Sequence, residues 1–297
     1  MDRHIYIIKK RSHRKGSVCL MLFLWFIVLA HATQAYVLNG HHILDLTVKT
    51  IGTASGCFSG TQTLVVYTDD PEPKETRFNE TVYYVFPERF RSDITSDGQQ
   101  RIYLSVQGNV LGIVDGHQDT EASESLHNTY KDILLYRNRL MLERYLTSKG
   151  VNVTISSLGR FEDISAFVIG GDYPDQSTTQ LWINKDTFLP FRWILVEQRN
   201  DATHPKACFE VRYKDWRQFN KIWFPKQIEM YEDGKRIRQI LVQDITALPY
   251  EESLFDIMTI QRQYSVPQKE LSSPNKEEGM SDVQKMLEEF KKKYKME

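Results

Sequence analysis

The chain has 297 residues, 41% hydrophobic and 26% charged, with a formal net charge of -1. That composition excludes collagen-like, low-complexity and wholly disordered chains, and a single long apolar run excludes a polytopic membrane protein. Aromatic residues make up 12% of the chain, with 15 Tyr and 15 Phe, which tilts the expectation toward β-structure.

The N-terminus reads as a targeting segment. Arg3, Lys9, Lys10, Arg11, Arg14 and Lys15 form a basic stretch, Val18 to Ala30 carries no charge, and His31-Ala32-Thr33-Gln34-Ala35 places small residues at 33 and 35. This is the layout of a secretory signal, with cleavage expected after Ala35. The apolar run is shorter than the ~20 residues a spanning helix needs; an uncleaved inner-membrane anchor is the alternative. Removing residues 1–35 takes six of the 38 basic and one of the 39 acidic residues, leaving 32 against 38, a charge of -6. An exported, mildly acidic protein lacks the basic footprint of a nucleic-acid binder, so no nucleic-acid partner is expected. Two cysteines remain, Cys57 and Cys208. In an oxidising compartment they suggest one disulfide; two separate buried thiols are the other reading. Asn79-Glu80-Thr81 and Asn152-Val153-Thr154 match the short glycosylation acceptor pattern, which matters only in a eukaryotic source.

Along the remaining chain, Ile43, Leu44, Thr47, Val48 and Ile51 recur near helical spacing before Gly52, which predicts a helix over 38–51. Strand signals follow at 61–68, 76–86, 89–95, 101–106 and 109–114, with turn chemistry at Asp69-Asp70-Pro71, Asp97-Gly98 and Gly108-Asn109. Residues 126–149 break the pattern. Tyr130, Ile133, Leu134, Leu135, Leu140, Met141, Leu142, Tyr145 and Leu146 predict one long helix or two short ones, closed by Lys149-Gly150 and buried over a wide face. Strands return at 151–157, 161–170, 179–185, 190–198, 207–215, 222–231 and 235–246, turning at Asn184-Lys185-Asp186, Asn200-Asp201 and Asp233-Gly234. About eleven or twelve strands with helical insertions and no β–α–β alternation predict a mainly β (α+β), antiparallel protein. The domain plan is a signal over 1–35, one folded domain over 36–258, a linker over 259–282 and an amphipathic helix over 283–297. That helix carries Val283, Met286, Leu287, Phe290 and Tyr294 on one face, and is the place for a possible envelope protein partner.

Catalytic patterns are missing. The sequence has no H-E-x-x-H, G-x-S-x-G, P-loop or G-x-G-x-x-G. Adjacent His41 and His42 diverge by about 100° on a helix and cannot chelate one ion together. Asp115, His117 and Asp119 fall in a loop after a strand, and Gly170-Gly171-Asp172-Tyr173-Pro174 reads as a turn. No enzyme activity, cofactor or metal is expected. The informative feature is apolar excess: Leu64 and Val66 oppose Val65 and Tyr67, Tyr83 and Val85 oppose Val82, Tyr84 and Phe86, Leu181 and Ile183 flank Trp182, and Phe191, Trp193 and Leu195 flank Ile194 and Val196. A half-solvated strand alternates; these strands need cover on both sides, from protein or from an apolar ligand.

The order of short motifs resembles a known superfamily. Phe86-Pro87-Glu88-Arg89-Phe90-Arg91-Ser92-Asp93, then Gly112-Ile113-Val114-Asp115-Gly116, then Gln180-Leu181-Trp182-Ile183-Asn184-Lys185-Asp186-Thr187-Phe188-Leu189-Pro190-Phe191-Arg192, then Trp223-Phe224-Pro225-Lys226 are together similar to the periplasmic lipoprotein-carrier (LolA/LolB-like) superfamily and its outer-membrane lipoprotein-sorting-like members, over residues 38–257. The resemblance implies a half-open antiparallel β-barrel with helices covering the concave face, and an apolar cavity that binds and transports lipid or lipoprotein acyl chains across the bacterial periplasm without catalysis. An envelope sensor or interaction module of the same fold, binding lipid or peptide, is the alternative. On that reading the cavity wall is expected among Leu64, Val66, Tyr83, Val85, Phe90, Ile102 and Leu104 of the first strands, Leu134, Leu135 and Leu142 of the helical insertion, and Leu181, Ile183, Phe191 and Trp193 of the later strands. Arg89 or Arg91 is the match to the arginine that holds the helical lid closed. The longer insertion at 126–149 and the extension past 258 depart from the compact carriers.

Overall fold

The computed structural model describes residues 37–52, 56–68, 74–96, 99–123, 126–198, 206–219 and 222–264. The expected signal, most of the linker, the helix over 283–297 and the turns at 69–71, 97–98 and 200–201 lie outside them.

Helix α1 (Gly40–Ile51) opens the described chain. Six strands follow: β1 (Cys57–Tyr67), β2 (Glu75–Val85), β3 (Arg89–Ser96), β4 (Gln99–Val106), β5 (Asn109–Val114) and β6 (His117–Asp119). A 3-10 turn (Leu126–Asn128) leads into α2 (Tyr130–Leu135) and α3 (Arg139–Ser148). Then come β7 (Ser156–Phe161), β8 (Ile164–Ile169), β9 (Gln180–Asn184), β10 (Pro190–Gln198), β11 (Lys206–Phe219), β12 (Ile222–Glu232) and β13 (Lys235–Leu248). A 3-10 turn (Glu252–Leu254) and α4 (Ile257–Gln263) close the described chain. The thirteen strands form one open antiparallel sheet in the order β6-β5-β4-β3-β2-β1-β13-β12-β11-β10-β9-β8-β7. Each strand pairs with its neighbour in sequence, except that β13 returns to β1 and β6 and β7 are left as edges. The helical insertion is the stretch of chain that runs from one edge strand to the other.

Chain contacts divide the molecule into two compact units. One takes the described residues of 1–53, 137–214 and 230–235, the other those of 54–136, 215–229 and 236–297. The first unit holds α1, α3 and β7–β10; the second holds β1–β6, α2 and α4. Strands β11, β12 and β13 are long enough to contribute to both.

Local chemistry explains most boundaries. Asn39 caps α1, its side-chain oxygen accepting the His42 backbone N–H at 2.8 Å, and Gly52 ends it at φ +86°. Asn138 splits the insertion: its Oδ1 accepts the N–H groups of Leu140 and Met141 at 3.0 and 3.3 Å, so α3 starts afresh instead of continuing α2. Hairpins turn on two consecutive left-handed residues, Gln107-Gly108, Asp115-Gly116, Glu162-Asp163 and Asp233-Gly234, the geometry that suits strand twist.

Three sequence expectations change. Residues 151–155 are not strand; the strand expected there begins at Ser156 and ends at Phe161, because Glu162 and Asp163 take φ +46° and +64° without a glycine or asparagine to announce the turn. His117 and Asp119 are not in a loop but on β6, where Val114 pairs with His117 and Gly112 with Asp119. The boundary at 258 falls inside α4, which Asp256 caps by accepting the Thr259 N–H at 3.0 Å.

Close approach fixes Gly40. A Cβ there would stand 2.2 Å from the Val153 carbonyl oxygen and 3.2 Å from Ile169 Cγ2, so α1 lies directly against β8 of its own unit. Gly40→Ala is expected to lower stability by at least about 1–3 kcal/mol, the usual cost of overpacking, seen as a fall in the urea midpoint; an unchanged midpoint would show that α1 is free to move off the sheet.

Candidate functional site

Strand register sorts the side chains of each unit onto two faces. In the second unit, Phe58 pairs with Tyr84 and Tyr84 with Phe90, all on one face. The Phe58 and Tyr84 rings stack at 4.8 Å between centroids, Phe90 lies tilted against Tyr84 at 5.0 Å, and Phe224 joins edge-on at 5.7 Å from Tyr84. Helix α2 lies against this face: the Tyr130 ring meets Phe90 edge-on at 6.4 Å and the Lys131 ammonium sits 5.7 Å from the same ring. Leu64 and Val66 share the face, one buried and one half-buried, and every residue of α2, Leu134 and Leu135 included, is buried.

The interior of this face is not uniformly apolar. Glu80 is 6% exposed, and accepts hydrogen bonds from Gln62 Nε2 at 2.7 Å and from the Ser92 hydroxyl. Burial pushes the Tyr130 phenol far above its ordinary range, and the Glu80 charge adds to the push. Burial likewise holds His127 well below the usual imidazole range, reinforced by the charges of Arg238 and Arg101. Lys131 and Asp132 form a buried pair at 3.0 Å. An acyl chain laid along these strands would meet this polar cluster.

The opposite face of the second unit carries Tyr83, Val85, Ile102 and Leu104, with Arg89 and Arg91 beside them, since Tyr83 pairs with Arg91 and Val85 with Arg89. It is covered by the segment after β13. Phe255 and Ile260 pack with Cys57, Ile102, Leu104, Leu111 and Ile113, with Leu254, Ile257 and Tyr264 alongside. Arg91 donates to the Leu254 carbonyl at 3.2 Å and to Asp93 at 2.8 Å. Arg89 donates to the Tyr250 hydroxyl and lies 5.5 Å from its ring. Gln118 Nε2 donates to the carbonyls of Gln261 and Tyr264, both at 2.8 Å. Both arginines therefore anchor the C-terminal strap; the helix α2 is on the other side of the sheet.

The first unit has the more uniform apolar face. Trp193 pairs with Leu181 on one side and Val211 on the other, and Ile169 with Leu181. Leu181, Ile183, Trp193 and Val211 are all fully buried. Both helices of the unit cover this face: α1 reaches Ile169 through Gly40, and the Tyr145 ring of α3 meets Trp193 edge-on at 5.8 Å. Leu142 and Leu146 of α3 and Ile43 and Leu44 of α1 are buried. A polar link ties the two helices at the rim, where His41 Nδ1 and Glu143 Oε2 lie 3.1 Å apart and Arg139 reaches Glu143 at 2.7 Å.

The other face of this unit is built on an arginine pair that the sequence reading did not single out. Arg192 and Trp182 are cross-strand partners, as are Arg192 and Arg212. Arg192 grips Glu210 through Nε and Nη2, both at 2.8 Å, and reaches Gln176 at 3.0 Å. Arg212 bonds Glu210 as well, and Glu162 at 2.9 Å. The Arg192 guanidinium lies 4.0 Å from the Phe161 ring and 5.1 Å from Trp182; that of Arg212 lies 4.1 Å from Tyr231 and 4.8 Å from Phe161. Burial alone would raise the Glu210 carboxyl, but the hydrogen bonds and charges of Arg192 and Arg212 outweigh it and hold the group below its usual range. Phe191 belongs to this face: the register shift between Pro190 and Arg192 turns it into the Trp182 cluster.

The expected cavity wall is therefore not one surface. Leu64, Val66, Phe90, Leu134 and Leu135 belong to the α2 side of the second unit; Tyr83, Val85, Ile102 and Leu104 lie under the strap; Leu142, Leu181, Ile183 and Trp193 lie between helices and sheet in the first unit; and Phe191 is on the arginine side. Cys57 and Cys208 are free thiols rather than a bridge; Cys57 packs under the strap, and burial raises both thiols above their usual range. Among the described residues no group of three or more His, Cys, Asp or Glu is placed to hold a metal ion, and no helix is long and apolar enough to cross a membrane.

No family model and no curated protein matches the sequence. Among solved structures the chain is similar to a LolA superfamily protein from Nitrosomonas europaea (14% identity, 75% of this chain and 100% of that one, TM-score 0.49). It is also similar to a putative outer membrane lipoprotein-sorting protein domain from Vibrio parahaemolyticus (12%, 75% and 100%, TM-score 0.48) and to a DUF1329 family protein from Desulfovibrio piger (12%, 75% and 98%, TM-score 0.47). The superfamily that the sequence motifs resemble is among these matches.

Two outcomes follow from the anchors. Arg192→Met leaves Glu210 buried with half its partners and is expected to cost about 3–5 kcal/mol at pH 7. Because Glu210 has a depressed folded pKa, its contribution is present above the ordinary glutamate range near 4.5 and is lost as pH falls through the folded value. The gap between wild type and variant should therefore narrow toward pH 3 in urea titrations; a constant gap would assign the loss to packing. Arg91→Ala is expected to raise hydrogen exchange at the amides of 254–264 and leave α1 unchanged; unaltered protection there would remove Arg91 as the strap's anchor.

Proposed function

We propose that the chain is a non-enzymatic carrier that binds lipid or lipoprotein acyl chains in an apolar cavity of a half-open β-barrel and carries them across the bacterial periplasm. The observation that carries the reading is the apolar layer of the first unit, where Leu181, Ile183, Trp193 and Val211 face two covering helices and contribute no charge. The α2 side of the second unit has the polar cluster around Glu80, which favours the first unit as the acyl site.

Opening is a matter of the helix pair. Each buried methylene is worth about 0.8 kcal/mol, enough for a long chain to replace the side-chain contacts that α1 and α3 give up as they part. The rim link is inexpensive to break, since His41 is 43% exposed and such half-solvated pairs contribute little. Release reverses the motion, and no bond is made or broken. The export signal expected over 1–35 fits a protein that works outside the cytoplasm.

Native mass spectrometry of the protein purified from its own envelope is expected to find bound lipid, and delipidated protein is expected to take up a fluorescent fatty acid, with uptake lost in Leu181→Asp. Protein that is empty on purification and takes up no fatty acid would overturn the reading.

A further inference from the structure

One polar atom in the apolar layer of the first unit has no partner. The Trp193 indole Nε1 is buried and makes no hydrogen bond, on a residue that is 0% exposed. Buried donors are nearly always satisfied, and leaving one unmade costs about 1–3 kcal/mol. By contrast Trp182, one strand away on the other face, gives its indole N–H to Gln180 Oε1 at 3.1 Å. The neighbours of Trp193 on its own face, Leu181, Val211 and Leu195, carry no acceptor in their side chains, and the Tyr145 ring lies at 5.8 Å between centroids, inclined at 62°.

We propose that the Trp193 indole N–H is the donor for the carbonyl oxygen of a bound acyl group, and so fixes the head of the acyl chain beneath α3. The inference rests on the acyl-binding reading above and deepens it: an apolar layer by itself grips any hydrocarbon, whereas one buried donor discriminates in favour of an acyl group. The required feature is a carbonyl next to a long alkyl chain, present both in a glycerolipid ester and in the amide of an acylated lipoprotein. Ether lipids and alkanes lack it. Placing that oxygen on Nε1 satisfies the donor without bringing charge into the layer. Because Trp193 is fully buried, the hydrogen bond forms only after α1 and α3 have parted and resealed over the chain.

The test compares monoolein, its 1-O-alkyl ether counterpart and N-palmitoyl glycinamide as competitors of a fluorescent fatty acid, on wild type and Trp193→Phe. Wild type is expected to bind ester and amide about tenfold more tightly than the ether. Trp193→Phe is expected to lose that preference, binding ester, amide and ether about equally whatever its overall affinity, and to melt higher than wild type when empty. Ester without amide binding would assign the site to glycerolipid, and the reverse to lipoprotein; either supports the donor role. Equal affinity for ester and ether in wild type, whatever the variant does, overturns the inference while leaving the acyl-binding reading intact. So does a preference that survives in Trp193→Phe, including the case where the variant merely melts higher because a buried water has been removed. If wild type binds none of the three, the acyl-binding reading fails and takes this assignment with it.

Discussion

The strands of this protein are apolar on both faces, and that single constraint organises the rest of the structure. A sheet with one greasy face folds against one layer; a sheet with two must find two. Each unit meets the demand differently. In the second, α2 covers one face and the chain after β13 folds back over the other. In the first, α1 and α3 cover one face, while the other is closed by guanidinium groups lying on aromatic rings. Arg192 and Arg212 are suited to this because a planar, weakly hydrated cation can stack on Phe161, Trp182 and Tyr231 while still holding Glu210.

The four covers are unequal in what they could give up. The strap is fixed by backbone carbonyls accepting from Arg91 and Gln118 and by a packed apolar cluster. The arginine side is an interlocked set of buried ion pairs, costly to open because a buried charge would lose its partner. On the α2 side Glu80 is held by hydrogen bonds from Gln62 and Ser92, a buried polar cluster that ties β1, β2 and β3 together. The helix pair over Trp193 is joined at its rim by a half-exposed pair and at the end of α1 by the buried Arg137 side chain, which donates to the Ile51 carbonyl at 3.2 Å; its remaining buried residues, Ile43, Leu44, Leu142 and Leu146 among them, are apolar. That difference in reversibility sets the helix pair apart from the other three covers.

The motif that suggested a superfamily has a structural meaning that its residues did not reveal. In the run from Gln180 to Arg192, Trp182 and Arg192 become cross-strand partners, and the register shift at Pro190 turns Phe191 to the same side. The motif builds the arginine face, opposite to the face that the acyl reading uses. Its role is to hold β9, β10 and β11 in register, so that Leu181, Trp193 and Val211 line up on the far side. Likewise Arg89 and Arg91, read as holding a lid, hold the C-terminal strap, because their alternation with Phe90 puts them on the face away from α2.

Local chemistry written in the sequence determined much of this protein. Helical spacing and Gly52 marked α1, apolar runs between turn residues marked nearly all the strands, and the doubled apolar parity announced that both faces would be covered. The sequence could not show that Glu162-Asp163 would turn a hairpin, because that conformation is imposed by the pairing of Phe161 with Ile164 rather than preferred by those residues. Nor could it show which parity met which cover, since a period of two assigns residues to a face without saying what lies on it. That assignment, the meeting of Arg192 with Glu210 from strands 18 residues apart in sequence, and the solitary indole N–H of Trp193 all depend on register across strands, a property only the folded sheet possesses.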